Sequence, residues 1–96
     1  MNRPPQDVVL ATPSAHDERA LGVARTKFPP IWTVYDHPRD HPKHWVVRVW
    51  WGEVPEPTGK LCETLLQARR LIVSEGGSVK LAREAGDDPA IAESWL

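Results

Sequence analysis

The stretch from His44 to Trp51 constrains the fold of this chain more than any other. Its odd positions are Trp45, Val47, Val49 and Trp51, all apolar. Its even positions are His44, Val46, Arg48 and Trp50, a mixed set. Strand side chains alternate between faces, so the odd set predicts one face turned to a core and the even set a half-wet second face. Just upstream, Ile31-Trp32-Thr33-Val34-Tyr35 is rich in β-branched and aromatic residues and reads as a second strand. The polar connection Asp36 to Lys43 is short, and strands joined this way usually pair as an antiparallel hairpin.

A hairpin alone cannot bury a face and needs cover. Leu65, Ala68, Leu71 and Ile72 form an apolar stripe at helical spacing, so the sequence predicts a helix over 65–75. Thr64 is its N-cap, Gln67 the capping-box partner, and Gly76-Gly77 its left-handed stop. The expected fold class is α+β, with a small antiparallel sheet packed on one main helix. The sheet comprises the hairpin 31–51 plus one or two further strands. Lys60 to Glu63 and Ser78 to Ala82 are the candidates for those strands. Gly52, Pro55 and Pro57 are expected to stop the second hairpin strand. At the end of the chain, Asp88 before Pro89 favours a helix, with a terminal strand that packs Trp95 as the alternative. Trp51 is assigned to the core.

Residues 1–27 read as an accessory N-terminal arm, partly flexible, and residues 28–96 as a single domain. In the arm, Val8-Val9-Leu10 offers an edge strand at most. Ser14 and Asp17 head a weak helix with a thin apolar side of Ala20, Leu21 and Ala24. Whether this arm or a partner covers the second sheet face is open at this stage.

The chain has 96 residues, a net charge of −1 and one cysteine, Cys62. The balanced charge argues against a general nucleic-acid partner, whose phosphates call for a basic excess. With no disulfide possible and no leader-like or membrane-length apolar run, the expected location is the cytoplasm. Cys62 reads as a small buried hydrophobe.

The most suggestive local feature is a repeat, Asp36-His37-Pro38-Arg39 followed by Asp40-His41-Pro42-Lys43. With His44 it supplies three imidazoles, so His37, His41 and His44 are the candidates for a metal site. Turn chemistry is the simpler reading, because Asp bonds nearby backbone and Pro fixes the turn. Asp36 with His41, or Asp40 with His37, would make acid–base dyads, but no nucleophile or phosphate loop accompanies them. No catalytic residue, metal or cofactor is therefore assigned, and the chain is read as a non-enzyme. Five Trp in so short a chain point instead to an interface. The expected binding surface is Trp50, Arg48 and Val46 on the mixed face, with Arg39, His41 and Lys43 from the loop. Its partner is another protein or a second copy of this chain. Two further readings are a nucleic-acid contact module, with Trp32 or Trp50 stacking bases beside Arg39, Lys43 and Arg48, and a small His-loop metal-binding protein.

Tyr35-Asp36-His37-Pro38 and the ending Asp87-Asp88-Pro89…Glu93-Ser94-Trp95 resemble stretches in a loose set of small bacterial proteins often carried on phage and plasmid DNA. The resemblance runs from the hairpin to the end and leaves out the N-terminal arm. It implies a small accessory protein of a mobile element, for which an inhibitor of a host complex, such as a nucleic-acid-guided defence system, is one specific version. It assigns no catalytic role.

Overall fold

A computed structural model describes residues 3–83 and 86–96. Met1 and Asn2 of the expected arm lie outside the described residues. The elements are β1 (Gln6–Val9), α1 (Ala15–Lys27), β2 (Pro30–Asp36), β3 (Trp45–Trp51), β4 (Val54–Cys62), α2 (Leu65–Glu75), β5 (Lys80–Leu81) and β6 (Ile91–Trp95). The hairpin forms as its pattern requires, with β2 and β3 antiparallel from Pro30 opposite Trp51 to Asp36 opposite Trp45. Among the described residues the sheet has six strands in the order β1-β4-β3-β2-β6-β5, every neighbouring pair antiparallel. The class is α+β, but four strands beyond the hairpin and a second helix exceed the expected count.

Two departures from the expected elements have clear physical causes. Pro55 and Pro57 do not stop the chain; they lie inside β4. β1 pairs with β4 only over Thr58 to Leu61, so the prolines occupy a stretch with no strand outside it, where a missing N–H costs little. At the C-terminus the helix signal loses to pairing. Asp88 Oδ1 accepts the Ala90 N–H at 2.8 Å and the Asp88 carbonyl accepts the Ile91 N–H at 2.9 Å, which closes a turn rather than capping a helix. The chain then runs beside β2, with Trp95 opposite Trp32 and Glu93 opposite Val34. Of the predicted strand at 78–82, only Lys80–Leu81 is formed.

The core lies on the α2 side. Trp32, Val34, Val47, Cys62, Ala68 and Ile72 are buried together, flanked by Trp45, Val49, Leu65, Leu71 and Trp95. Thr64 Oγ1 accepts the Gln67 N–H and Gln67 Oε1 takes the Glu63 N–H, which fixes the start of α2. Gly76 ends it at φ 114°, a left-handed conformation that a side chain would strain. The tryptophans at this interface have partners. Trp32 Nε1 donates to Glu75 at 2.9 Å, and Trp95 Nε1 to Glu93 at 3.1 Å. Glu93, 6% exposed, also takes both arms of Arg69 at 2.9 Å. Arg69 holds its carboxyl below the usual range. Trp51 is a correction. It is only half-buried at the hairpin end, outside the core cluster, and its Nε1 donates to Glu56 at 2.8 Å.

Residues 3–27 are built into the sheet. β1 forms one edge, and the N–H groups of Leu10 and Ala11 both donate to the Pro57 carbonyl. Ser14 and Asp17 exchange both capping-box bonds, so the helix predicted there is well started. α1 crosses the second face of β3 and β4, burying only Leu21 and Ala24, and Arg25 reaches around to grip Glu56 through two bonds at 2.8 and 2.7 Å. Among the described residues no helix is long and apolar enough to cross a membrane.

Candidate functional site: a cleft on the second sheet face

With Val34 and Val47 turned into the α2 core, Tyr35, Val46, Arg48 and Trp50 must turn to the opposite face. α1 covers one end of that face and the 36–43 loop stands at the other. Between them lies a cavity of about 320 Å³, lined by Leu10, Tyr35, Pro38, Asp40, His41, Val46, Arg48, Trp50 and Asp88. Four of the six residues expected to form a binding surface therefore meet here: Val46, Arg48, Trp50 and His41. Val46 is 2% exposed and serves as floor rather than contact tip. Arg39 and Lys43 are exposed and line none of this cavity, which corrects their grouping with Trp50.

Arg48 is the centre of the arrangement. Its Nε donates to the Glu56 carbonyl at 2.8 Å, and its guanidinium carbon lies 5.6 Å from the Trp50 ring centroid. That separation suits a cation–π contact, so the head is held on two sides. Arg48 also lines an adjoining cavity of about 300 Å³ beside His16, Ala20 and Leu21 of α1 and Pro55 and Pro57 of β4. It thus stands between two hollows. Gly59 opposite Arg48 makes this geometry possible. A Cβ there would come within 2.7 Å of the Val47 carbonyl oxygen and 2.8 Å of Leu10 Cδ1, so glycine leaves room for the backbone of β3 and for Leu10 at the cavity wall.

The cavity's electrostatics are mixed. Burial pushes the Tyr35 phenol up, while the Trp50 indole and the Arg48 guanidinium pull against it, so the phenol stays protonated at neutral pH. Trp50 Nε1 is buried beside that phenol, near enough to act on it, yet makes no hydrogen bond among the described residues. Asp88 Oδ1 is committed to the Ala90 N–H. The result is an apolar floor with a few fixed polar groups on its walls, the general composition of a binding pocket.

The histidines do not converge. His37 turns toward Trp45, with ring centroids 5.2 Å apart edge to face, and its Nδ1 lies 2.5 Å from Asp36 Oδ1. His41 lines the cavity on the other face. Among the described residues no three His, Cys, Asp or Glu side chains gather as a metal site would require. The Asp–His pair that does form is the adjacent one, Asp36 with His37, not Asp36 with His41 or Asp40 with His37. It is bought with strain, since His37 has φ 46°. Cys62 lies in the core on the α2 side, and burial raises its pKa to about 11, so the thiol stays protonated and unreactive. Trp32 is 4% exposed and cannot serve as a stacking platform for bases.

Of the cavity lining, Leu10, Tyr35 and Asp88 were not expected, while Pro38 and Asp40 belong to the expected loop without having been named as contacts. Tyr35 was within reach, because Val34 beside it is a core residue and alternation puts Tyr35 on the other face. Leu10 and Asp88 come from distant segments, and no local pattern announces where they dock. Comparison with family models, curated proteins and solved structures gives no match to this chain.

Proposed function

We propose that this chain is a non-enzymatic binding module that seats a segment of another protein in the second-face cleft, with Trp50 and Arg48 as its anchors. The observation that carries this is the cavity itself. A tryptophan, a tyrosine and a stacked arginine wall a hollow of about 320 Å³ on a sheet face that α1 covers only in part. Trp, Tyr and Arg in a recess are what interface hot spots are made of. The unreactive Cys62 and the separated histidines support binding over chemistry. The resemblance of the hairpin and ending extends the reading to an accessory or inhibitory protein of a mobile element.

The test is a displayed library of random linear peptides, panned on the folded chain and re-measured on Trp50→Ala. Binders seated in the cleft are expected to lose about 2 kcal/mol on the variant, the threshold of a hot spot. The melting temperature should move by no more than a few degrees. A panel of binders indifferent to Trp50 would remove the cleft as the binding site.

A further inference from the structure

The carboxylates around the second-face cleft differ from those elsewhere on the sheet. Glu56 is held by Arg25, Glu93 by Arg69 and Asp7 by Lys60. Asp40 and Asp88 line one hollow and Asp17 and Glu53 the other, with Arg48 between the two. Among the described residues no Lys or Arg pairs with any of these four. Asp17 and Asp88 each give one oxygen to a backbone N–H, of Ser14 and of Ala90, which leaves their negative charge in place. Apart from His16 and His41, Arg48 is the only basic side chain on either lining. The acidic excess is local, since the whole chain carries only −1. It is also peripheral: all four carboxylates are exposed, whereas Val46 beneath them is buried and Leu10 and Trp50 are half-buried. Carboxylates on the rim of an apolar recess set up a negative potential over it, which attracts a partner of the opposite charge and repels one of the same charge.

We propose that the cleft takes a basic segment of its partner, one in which an apolar side chain has a Lys or Arg beside it. The apolar side chain fills the hollow against Leu10, Val46 and Trp50. Its basic neighbours meet the rim carboxylates, Asp40 and Asp88 on one side and Glu53 on the other. Arg48 keeps the middle closed to cations, so the charge pairing is confined to the outer walls. This rests on the reading of the cleft as a protein-binding site and names the chemistry of its partner. The apolar floor favours such a segment over a small polycation, which has nothing to place on it, and the rim disfavours a phosphate backbone.

The same peptide library decides this. Trp50-dependent binders are expected to share a Lys or Arg beside an apolar residue. Raising the salt from about 0.05 M to about 0.5 M should slow their association about tenfold. Asp40→Asn, Glu53→Gln and Asp88→Asn combined should weaken binding by about tenfold, chiefly through the association rate, and remove most of the salt effect. Asn at position 88 keeps the oxygen that accepts the Ala90 N–H. If the triple variant does not fold, Asp40→Asn with Glu53→Gln carries the comparison, with a loss of about threefold. Glu63→Gln, exposed just before α2, removes a charge away from the cleft and should change nothing. A salt effect that survives the triple variant, or an equal loss with Glu63→Gln, overturns the rim as the basic site. Trp50-dependent binders without a basic residue overturn the basic segment and leave the cleft standing, whereas no Trp50-dependent binder removes both. Displacement of the peptide by equimolar spermine overturns the proposal in favour of a small polycation.

Discussion

The two faces of this sheet are covered by helices of similar length in different surroundings, α2 over the continuous core cluster and α1 beside two open hollows. On one side α2 contributes Leu65, Ala68, Leu71 and Ile72 to a continuous cluster with Trp32, Val34, Val47 and Cys62. On the other, α1 buries Leu21 and Ala24 beside open hollows; each helix leaves large apolar side chains exposed on its outer side, Val23 on α1 and Leu66 and Val73 on α2. The first face is a core. The second is a partial cover with hollows of about 300 and 320 Å³ beside Arg48. Hydrophobic stabilisation follows apolar area removed from water, so most of it comes from the α2 side. The α1 side keeps polar groups and space. A small domain can hold only one well-packed core, and here the face left over is where a partner has room.

The sharpest way to break that comparison is a matched pair of truncations. Ile72 of α2 is fully buried in the core, and Ile72→Ala should cost on the order of 2–5 kcal/mol in denaturant unfolding. Leu21, 6% exposed on α1, meets a looser surround that can relax into the neighbouring hollow, so Leu21→Ala should cost about 2 kcal/mol, the bottom of the same range. Hydrogen exchange sharpens the distinction. Leu21→Ala should speed exchange in α1 and leave β2 and β3 unchanged, as expected of a locally opening unit. If the two variants lose equal stability, or if α1 and α2 loosen together, the faces are one cooperative core and the contrast is lost.

How much of this was legible in the sequence follows the same division. The α2 face could be read because its signals are local and strong: the 45, 47, 49 alternation, the Leu65-Ala68-Leu71-Ile72 stripe, Thr64 with Gln67, and Gly76. The helix over 65–75 has the boundaries its caps dictate. The α1 face was legible only in fragments. The Ser14–Asp17 cap was visible, but not that α1 would lie across β3 and β4, since its apolar side is thin. Trp51 shows the limit of alternation. Parity gives its face correctly, but parity says nothing of depth, and at the hairpin end Trp51 runs past the core to meet Glu56. The terminal strand could be read only as the alternative to a helix, because what decides for it is the need of β2 for a partner on its free side, a demand no residue between Ile91 and Trp95 declares. The cavity behaves likewise. Arg48 and Trp50 were found from β3 alone, whereas Leu10 and Asp88 reach it only through the fold.

The smallest expected effect lies in the two carboxylates, one tied to each helix. Glu93 is held by Arg69 of α2 and Glu56 by Arg25 of α1, and in both the arginine is the largest cause of a carboxyl pKa below the ordinary glutamate value near 4.5. A carboxyl whose folded pKa is depressed binds fewer protons in the folded state than in the unfolded one. Each pair therefore contributes stability above about pH 4.5, and that contribution fades as pH falls through the folded pKa. Glu93 is the more deeply buried, with 7% side-chain exposure against 18% for Glu56, and Arg25 is the more exposed of the two arginines. Solvent screens the α1 pair more strongly, so Glu93→Gln should flatten the acid limb of the stability curve more than Glu56→Gln. Denaturant unfolding from pH 6 downwards measures both slopes, and amide exchange at the acid end separates them by place. Protonation of Glu56 should loosen α1 while α2 stays protected, because Arg25 is the grip of that helix on the hairpin end. Equal flattening by the two variants, or early exchange in α2, would mean that the carboxylates act through the whole domain and not through the face each one serves.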